Sequence, residues 1–179
     1  MKINFKTCTE EQLWKYVATH LKKKGIDTIL VGGAVVSIYS EGIYKSGDLD
    51  FVLVTMFVKN LPEAMEEIGF LKKVGRHYIH PDCKHLYIEF PSSFLEIGED
   101  NQIIPDEVKL DGVKIKILSP TDCVKDRLSS YIHFKARECL DQAVLVGGKN
   151  PIKLEAVKKW CKNEGAEWAF DDFVKGLKK

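Results

Sequence analysis

The sequence feature that most constrains the fold is a pair of aspartates inside an apolar run, DLDFVLV, at residues 48–54. A short run rich in β-branched and aromatic residues predicts a strand. Successive strand residues point to opposite faces, so Asp48 and Asp50 project together while Leu49 and Phe51 point into the core. Two carboxylates this close repel unless a cation lies between them, and a hard cation such as Mg²⁺ prefers carboxylate oxygen. The run therefore predicts a strand with one buried face and one metal-binding face.

A Gly-Gly pair precedes this run, at the end of a second apolar segment, IDTILVGG, residues 26–33. The segment predicts a buried strand that Gly32 and Gly33 interrupt before a short helix over residues 34–40. Because glycine has no Cβ, the backbone can approach a ligand closely here, and the N–H groups at a helix start suit a phosphate. A Gly-Gly pair by itself is most often a simple turn. Followed by the carboxylates, it indicates a phosphate cradle that faces a metal site.

Lys45 and Ser46 come just before the aspartates. An ammonium and a hydroxyl at this place are suited to contact a triphosphate, and we predict both as nucleotide-binding residues. The alternative for Lys45 is an ordinary solvated lysine on a loop. A phosphate cradle and a carboxylate pair together are the groups that phosphoryl or nucleotidyl transfer requires.

The pattern VGG…SGDLDFV resembles the signature of the DNA polymerase β-like nucleotidyltransferase superfamily, with fourteen residues between Gly33 and Asp48. The resemblance implies a nucleotidyltransferase fold in which Asp48 and Asp50 hold two Mg²⁺ ions and the glycines contact the phosphates of an NTP substrate. It also implies a third carboxylate on a neighbouring strand. The segment HLYIEF offers Glu89, because Leu86, Ile88 and Phe90 alternate onto the opposite face. We predict Glu89 as the third metal ligand or the base; the alternative is a charge on the solvent face of an antiparallel strand.

The second half of the chain adds to this resemblance. Its segment LSPTDCVKDRLSSYIHFKARECLDQAVLV is similar to the helical part of bacterial nucleotidyltransferases related to AbiEii-type toxins. That similarity implies that Lys125 contacts nucleotide phosphate and that Asp141 is a further motif residue. The alternatives are a solvated helix charge for Lys125 and a surface pair of Asp141 with Arg137. The resemblance implies an RNA (tRNA), protein or small-molecule acceptor, and a toxin–antitoxin or phage-defence setting with an antitoxin partner.

The order of the predicted elements defines the fold class as α/β (α+β), with a small mixed sheet flanked by helices. We expect an α/β core over residues 1–117 and a helical C-terminal segment over residues 118–179 packed on it. Within the core, residues 70–81 and 84–91 predict two strands joined by a turn at Pro81-Asp82. Ser119, followed by Pro120, predicts the first helix of the C-terminal segment.

Bulk composition excludes several classes of protein. The formal net charge of +1 indicates no nucleic-acid or membrane partner by itself, and no apolar run is long enough to span a bilayer. The N-terminus predicts no signal peptide. Five cysteines without a C-x-x-C pair predict free thiols in a reducing cytoplasm, so we expect a cytoplasmic protein.

A cluster of candidate metal ligands lies in RHYIHPDCKH, which places His77, His80, Cys83 and His85 within nine residues. The stretch predicts a hairpin, whose alternate residues face opposite ways, and this geometry argues against one zinc site made of all four. Arg76 and His77 alternatively line the substrate side of the cleft. The sequence leaves the role of this cluster open.

A second function competes with catalysis. A catalytically idle nucleotidyltransferase-fold protein that binds a nucleotide or a partner protein would carry the same glycines. The long spacer before Asp48 and the Glu at position 89 favour this alternative, whereas the intact Asp48 and Asp50 favour the enzyme.

Overall fold

The structure is a computed structural model that describes residues 2–55, 58–91, 95–100 and 102–178. The described residues form seven strands and seven helices. The strands are β1 (Thr28–Val31), β2 (Asp48–Leu53), β3 (Leu71–Lys72), β4 (His77–His80), β5 (Cys83–Glu89), β6 (Asp106–Leu110) and β7 (Val113–Ile117). The helices are α1 (Glu10–Lys23), α2 (Gly33–Tyr39), α3 (Leu61–Glu66), α4 (Pro120–Phe134), α5 (Arg137–Lys149), α6 (Leu154–Asn163) and α7 (Glu167–Leu177).

The strands form one mixed sheet in the order β3-β4-β5-β2-β1-β7-β6. The β2–β5 and β1–β7 pairs are parallel, whereas β1–β2, β3–β4, β4–β5 and β6–β7 are antiparallel. The predicted fold class, a mixed sheet flanked by helices, is therefore confirmed. Two adjacent parallel-paired strands, β2 and β5, lie near the centre and carry the predicted carboxylates.

The central strands follow the period-two pattern that the sequence predicts. Leu30 lies opposite Phe51, and Leu49 lies opposite Ile88, and all four side chains are fully buried. Burying a side chain of this size stabilises the fold by about 1.5–3 kcal/mol. This apolar face fixes the register, because a slip by one residue would turn the acidic residues of β2 into the core.

Helix α1 begins as predicted. Thr9 Oγ1 accepts a hydrogen bond from the Gln12 backbone N–H, and the Gln12 side chain accepts one from the Thr9 N–H, which completes a capping box. Gly25 follows the helix with a φ of +79°, a conformation that glycine adopts without strain. The capping box lies between Cys8, which contacts Cys83, and Glu10, which contacts Ser46.

Two strands differ from the sequence-based expectation. Residues 70–81 were expected to form one strand, but β3 and β4 are separated by a turn that includes Gly75, which has a φ of +70°. Strand β6 was not expected, because it is an edge strand with no fully buried side chain. It pairs with β7 through a two-residue turn, Asp111-Gly112, in which both φ values are positive. An Asp-Gly pair between apolar residues is a strong hairpin signal, and it was available in the sequence.

The helices that follow β7 pack against the first half of the chain. Ser119 caps α4 as predicted, accepting from the Asp122 N–H. The Tyr39 hydroxyl donates to the Leu118 carbonyl at 2.7 Å, Asn150 donates to the Tyr39 carbonyl at 2.9 Å, and the Trp160 indole donates to the Ile97 carbonyl at 3.0 Å. The division into segments 1–117 and 118–179 stays a prediction. No helix within the described residues is long and apolar enough to cross a membrane.

Candidate active site

The strand register lines up a row of side chains across the sheet. Val31 on β1 lies opposite Asp50 on β2, Asp50 lies opposite Glu89 on β5, and Glu89 lies opposite His77 on β4. Neighbouring strands are about 4.8 Å apart, so Asp50 and Glu89 are direct neighbours on one face. Asp48 lies on the same face, two residues before Asp50. The structure thus brings together the three carboxylates that the sequence nominates.

Asp48 is held by two hydroxyl groups. The Ser46 hydroxyl donates to Asp48 Oδ1 at 2.8 Å, and the Tyr87 hydroxyl donates to Asp48 Oδ2 at 3.0 Å. Tyr87 lies opposite Asp48 in the β2–β5 register. Each carboxylate oxygen has more than one lone pair, so both oxygens of Asp48 keep acceptor capacity for a further ligand.

Asp50 is the electrostatic centre of the site. Burial raises the pKa of Asp50 to about 7, and the negative charges of Asp48 and Glu89 add to the rise. The Arg127 guanidinium acts in the opposite direction on the pKa of Asp50 but does not cancel the rise. Three carboxylates therefore share a partly buried face, and the nearby Arg127 does not offset their repulsion and burial. A bound cation would reduce that repulsion.

Gly32 lies directly beside Asp50. A Cβ at position 32 would be 2.4 Å from Asp50 Oδ2, and the φ of Gly32 is +73°, so no other residue fits here without strain. Gly33 is close to the loop before β2, since a Cβ there would be 2.8 Å from the Ser46 hydroxyl oxygen. Gly32 therefore lies against Asp50, and Gly33 lies against Ser46, which holds Asp48. Helix α2 has only seven residues, so this backbone approach matters more than its helix dipole.

Ser46 and Lys45 are both tied to helix α1. The Ser46 backbone N–H donates to Glu10 Oε1 at 3.0 Å, and the Glu10 side chain is only 5% exposed. The Lys45 ammonium lies 3.8 Å from Glu10 Oε2, with its side chain 64% exposed. Ser46 thus joins the carboxylate group directly through Asp48, whereas Lys45 contacts α1.

Glu89 has partners on β4. His77 Nε2 is 3.0 Å from Glu89 Oε2, and the Arg76 guanidinium is 3.7 Å from Glu89 Oε1. These contacts orient the Glu89 side chain on the same face as Asp50. They also place an imidazole and a guanidinium at the border of the site, and the substrate-side role of Arg76 and His77 stays a prediction.

Lys125, the fourth predicted catalytic residue, contacts other acids. Its ammonium lies 3.0 Å from Asp122 Oδ1 and 3.1 Å from Asp100 Oδ2. The cation of α4 that acts on Asp50 is Arg127 instead. Residues two apart on a helix are separated by about 200°, so Lys125 and Arg127 lie on nearly opposite sides of α4. Asp141 is exposed on α5.

Three further residues of the site were not predicted from the sequence: Glu10, Tyr87 and Arg127. Tyr87 had a signal, because it shares the strand face of Glu89. Glu10 had no such signal, because the sequence around it does not show that a residue in the first turn of α1 contacts Ser46, 36 residues away. Arg127 sits beside the apolar stripe of α4, and only the packing of that helix reveals which of its cations acts on Asp50.

A groove of about 680 Å³ opens beside the carboxylates. Gly47, His77 and Tyr87 form its wall next to Asp48 and Glu89. The described residues that line the rest of it are Lys73, Ile79, His80, Pro81, Cys83, Lys84, His85 and Leu86. None of these described lining residues is acidic, so the groove is suited to a neutral or anionic group.

The carboxylate set fits Mg²⁺. All three side chains donate oxygen, which is the ligand that Mg²⁺ prefers. Burial and then the charges of Asp48 and Glu89 raise the pKa of Asp50, and a cation bound between the carboxylates would favour its ionised form. Asp48, Asp50 and Glu89 are the residues that would hold the metal.

Comparison with solved structures defines the class of fold. An antigenic nucleotidyltransferase-like protein from Paracoccidioides brasiliensis matches with a TM-score of 0.57 and 18% identity, over 76% of this chain and 74% of its own. The solution structure of the antibiotic-resistance factor ANT(2'')-Ia matches with a TM-score of 0.55 and 13% identity, over 90% of this chain and 91% of its own. The crystal structure of its complex with adenylyl-2''-tobramycin matches with a TM-score of 0.52 and 12% identity, over 94% of this chain and 97% of its own. This chain therefore has the nucleotidyltransferase fold.

At the level of sequence, no family model and no curated protein matches this chain. The likeness in structure shows the fold, and both membership of the nucleotidyltransferase superfamily and the more specific AbiEii-type relation remain predictions.

Proposed function

We propose that this protein is a Mg²⁺-dependent nucleotidyltransferase that moves a nucleotidyl group from an NTP to an acceptor hydroxyl. The observation that carries the proposal is the registered row of Asp50 and Glu89 on one sheet face, with Asp48 beside them and Gly32 against Asp50. The nucleotidyltransferase fold of the solved neighbours supports the same assignment.

In the proposed reaction, the acceptor oxygen forms a bond to the α-phosphorus, the bond from that phosphorus to the β-phosphate oxygen breaks, and pyrophosphate leaves. Asp48 and Asp50 hold the metal, which when bound neutralises charge on the phosphates, and two ions are expected. The Ser46 and Tyr87 hydroxyls keep Asp48 in position. Glu89, oriented by His77, serves as third ligand or accepts the proton of the acceptor hydroxyl.

Gly32 and Gly33 are proposed to bind the NTP phosphates through their backbone, as Ser46 and Lys45 are through their side chains. Arg127 is suited to oppose phosphate charge beside Asp50. Both of these cations of α4 are already paired, Lys125 with Asp122 and Asp100 and Arg127 with Asp126, and we rank Arg127 above Lys125 because it is the one that acts on the pKa of Asp50.

The groove beside the carboxylates suggests the class of acceptor. Its described lining contains lysines and histidines and no acid, which suits a phosphate-bearing acceptor such as RNA. The described lining offers no acid of its own to the amino groups of a molecule such as the tobramycin of the ANT(2'')-Ia complex, although the carboxylates of the site lie next to it. We therefore propose RNA, with tRNA as the leading candidate, ahead of a protein acceptor. The proposed toxin–antitoxin or phage-defence setting, with an antitoxin partner, rests on the resemblance alone.

The acceptor is tested by label transfer. The protein is incubated with Mg²⁺ and each NTP labelled at the α-phosphate, together with total RNA, nucleic-acid-free protein lysate or tobramycin in separate reactions. We expect label in RNA, and none from γ-labelled NTP, because the γ-phosphate leaves in pyrophosphate. Label in protein or tobramycin would refute the RNA assignment, and γ-label transfer would refute nucleotidyl transfer.

The idle binding protein remains the second candidate, and one observation favours it. Glu89 already contacts the His77 imidazole and the Arg76 guanidinium, so its carboxylate has partners before any metal binds. Mg²⁺-dependent NTP binding without transfer to any acceptor is the outcome that this candidate predicts.

A further inference from the structure

A second cluster of ligand-type side chains lies at the other end of β5. Cys8, Cys83 and His85 each place one ligand atom within 4.8 Å of the other two, and the two thiol sulfurs are 3.9 Å apart. Cys83 and His85 share a strand face with Glu89, but His85, the nearer of the two, is separated from Glu89 by four residues of extended strand, about 13 Å. This cluster is therefore distinct from the carboxylate site.

The structure separates the histidine-cysteine cluster that the sequence analysis considered, His77, His80, Cys83 and His85. His77 pairs with Glu89, and the His80 ring stacks on Phe5 at a centroid distance of 3.8 Å. Only Cys83 and His85 of the four stay together. Their new partner, Cys8, is 75 residues from Cys83 in sequence, so no local spacing could reveal it.

We propose that Cys8, Cys83 and His85 bind a zinc ion through two thiolates and one imidazole, with one coordination position open to water. Zn–S bonds of about 2.3 Å at a tetrahedral angle separate two sulfurs by about 3.8 Å, close to the observed 3.9 Å. Two sulfurs and one nitrogen are a soft donor set, which selects zinc over the Mg²⁺ of the carboxylate site.

The histidine is prepared for this role. His85 Nε2 lies 2.8 Å from the Cys8 carbonyl oxygen, which can only accept, so Nε2 carries the proton. In the neutral form of the ring, the lone pair that a metal needs is then on Nδ1. A backbone carbonyl that fixes the tautomer in this way is the usual outer partner of a zinc-bound histidine. Cys83 and His85 also line the groove, which gives an ion a path from solvent.

Zinc at this place would fasten the N-terminal segment to the sheet. Cys8 directly precedes Thr9 and Glu10, and Glu10 holds Ser46, which holds Asp48. The proposal does not depend on the nucleotidyltransferase assignment, since a structural zinc would have the same effect in an idle protein.

The test uses the full chain, produced without a polyhistidine tag and kept reduced with a phosphine. After zinc loading and gel filtration, we expect one zinc per chain by elemental analysis. Cobalt in place of zinc should give a visible ligand-field band and a near-ultraviolet thiolate-to-cobalt band. Because loss of even an outer partner costs about 10–100-fold in affinity, Cys8→Ser, Cys83→Ser and His85→Gln should each weaken zinc binding by at least about 100-fold.

Two matched controls should keep the wild-type stoichiometry. Cys161→Ser removes another buried thiol, and His80→Gln removes the neighbouring imidazole. Reduced wild-type protein that holds no zinc, or a cobalt spectrum without the thiolate band, would overturn the proposal, and neither readout requires that a variant fold. Unchanged zinc affinity in the folded His85→Gln variant would also overturn the proposal. The same holds for wild-type protein that binds no metal when reduced and forms a Cys8–Cys83 disulfide on mild oxidation.

Discussion

At Asp50, burial and the charges of Asp48 and Glu89 raise the pKa to about 7, from an ordinary value near 3.8. The folded protein without metal thus binds a proton that the unfolded chain releases at lower pH. The stability that this proton contributes is full below about pH 4 and is lost as pH rises toward 7. Each pKa unit corresponds to about 1.4 kcal/mol, so the loss should be roughly 2–4 kcal/mol.

We therefore expect Asp50→Asn, measured in a chelator, to be more stable than the wild type at pH 8 and to lose this pH dependence. Urea unfolding at pH 5 and pH 8 provides the measurement. Asp27→Asn is the matched control with the opposite sign. Although burial opposes the effect, hydrogen bonds from Lys116 and Lys22 hold the pKa of Asp27 below its usual value, so its loss should destabilise the protein at pH 8. An Asp50→Asn protein less stable than the wild type at pH 8 would contradict the electrostatic description.

Glu89 is the residue whose role is most open to test. Glu89→Gln keeps the size of the side chain but removes its charge, so turnover should fall by about 100-fold or more while NTP binding survives. Single-turnover kinetics and calorimetry separate the two effects. Glu107→Gln on the edge strand β6, where Glu107 pairs with Lys114, should change neither. Full turnover in Glu89→Gln would remove Glu89 from the mechanism.

Among the elements, helix α1 supports the site through one side chain. The buried Glu10 carboxylate accepts from the Ser46 N–H, and Glu10→Ala would leave that N–H without its partner. We expect a loss of about 1–3 kcal/mol in the free energy of unfolding. The neighbouring Glu11→Ala removes only an exposed pair with Lys15, which should cost less than about 0.5 kcal/mol. Equal losses for the two variants in urea unfolding would show that the Glu10–Ser46 bond is not a structural support.

The junction of β1 and α2 makes the closest backbone approach to the site. A valine at position 33 would place its Cβ 2.8 Å from the Ser46 hydroxyl oxygen and cover the backbone that is proposed to meet phosphate. Gly33→Val should therefore weaken NTP binding by about tenfold or more, a loss of about 1.4 kcal/mol. Gly148→Val on α5, where a Cβ meets nothing within 4 Å, is the control. Calorimetry that finds NTP affinity unchanged in Gly33→Val would exclude the phosphate cradle.

In the molecule as a whole, the sequence predicted what local periodicity determines. Alternation along β2 and β5 placed Asp48, Asp50 and Glu89 on one face, and the structure puts Asp50 and Glu89 in register. Contacts over long separations were not predictable. Glu10 reaches Ser46 across 36 residues, and Cys8 meets Cys83 across 75. The period of two residues in a strand or about 3.6 in a helix shows which side chains share a face. Which other element covers that face depends on tertiary packing.

The helix α4 illustrates the same limit. Its start at Ser119 and its apolar stripe follow from the sequence, but the choice between its cations does not. Lys125 and Arg127 are both cations and only two residues apart, and only the packing of α4 determines that Arg127 is the one that acts on Asp50. The resemblance-based assignment of Lys125 remains a prediction that a Lys125→Gln and Arg127→Gln comparison would decide.

The central claim is that the carboxylates of β2 and β5 form a metal-dependent nucleotidyl-transfer site. Its most direct test is the transfer of α-phosphate label from NTP to total RNA by the wild type, Asp48→Asn and Asp27→Asn. We expect Mg²⁺-dependent label in RNA for the wild type and for Asp27→Asn, abolished by a chelator, and a loss of at least about 100-fold for Asp48→Asn. Equal transfer by the wild type and Asp48→Asn would exclude these carboxylates as the transfer site.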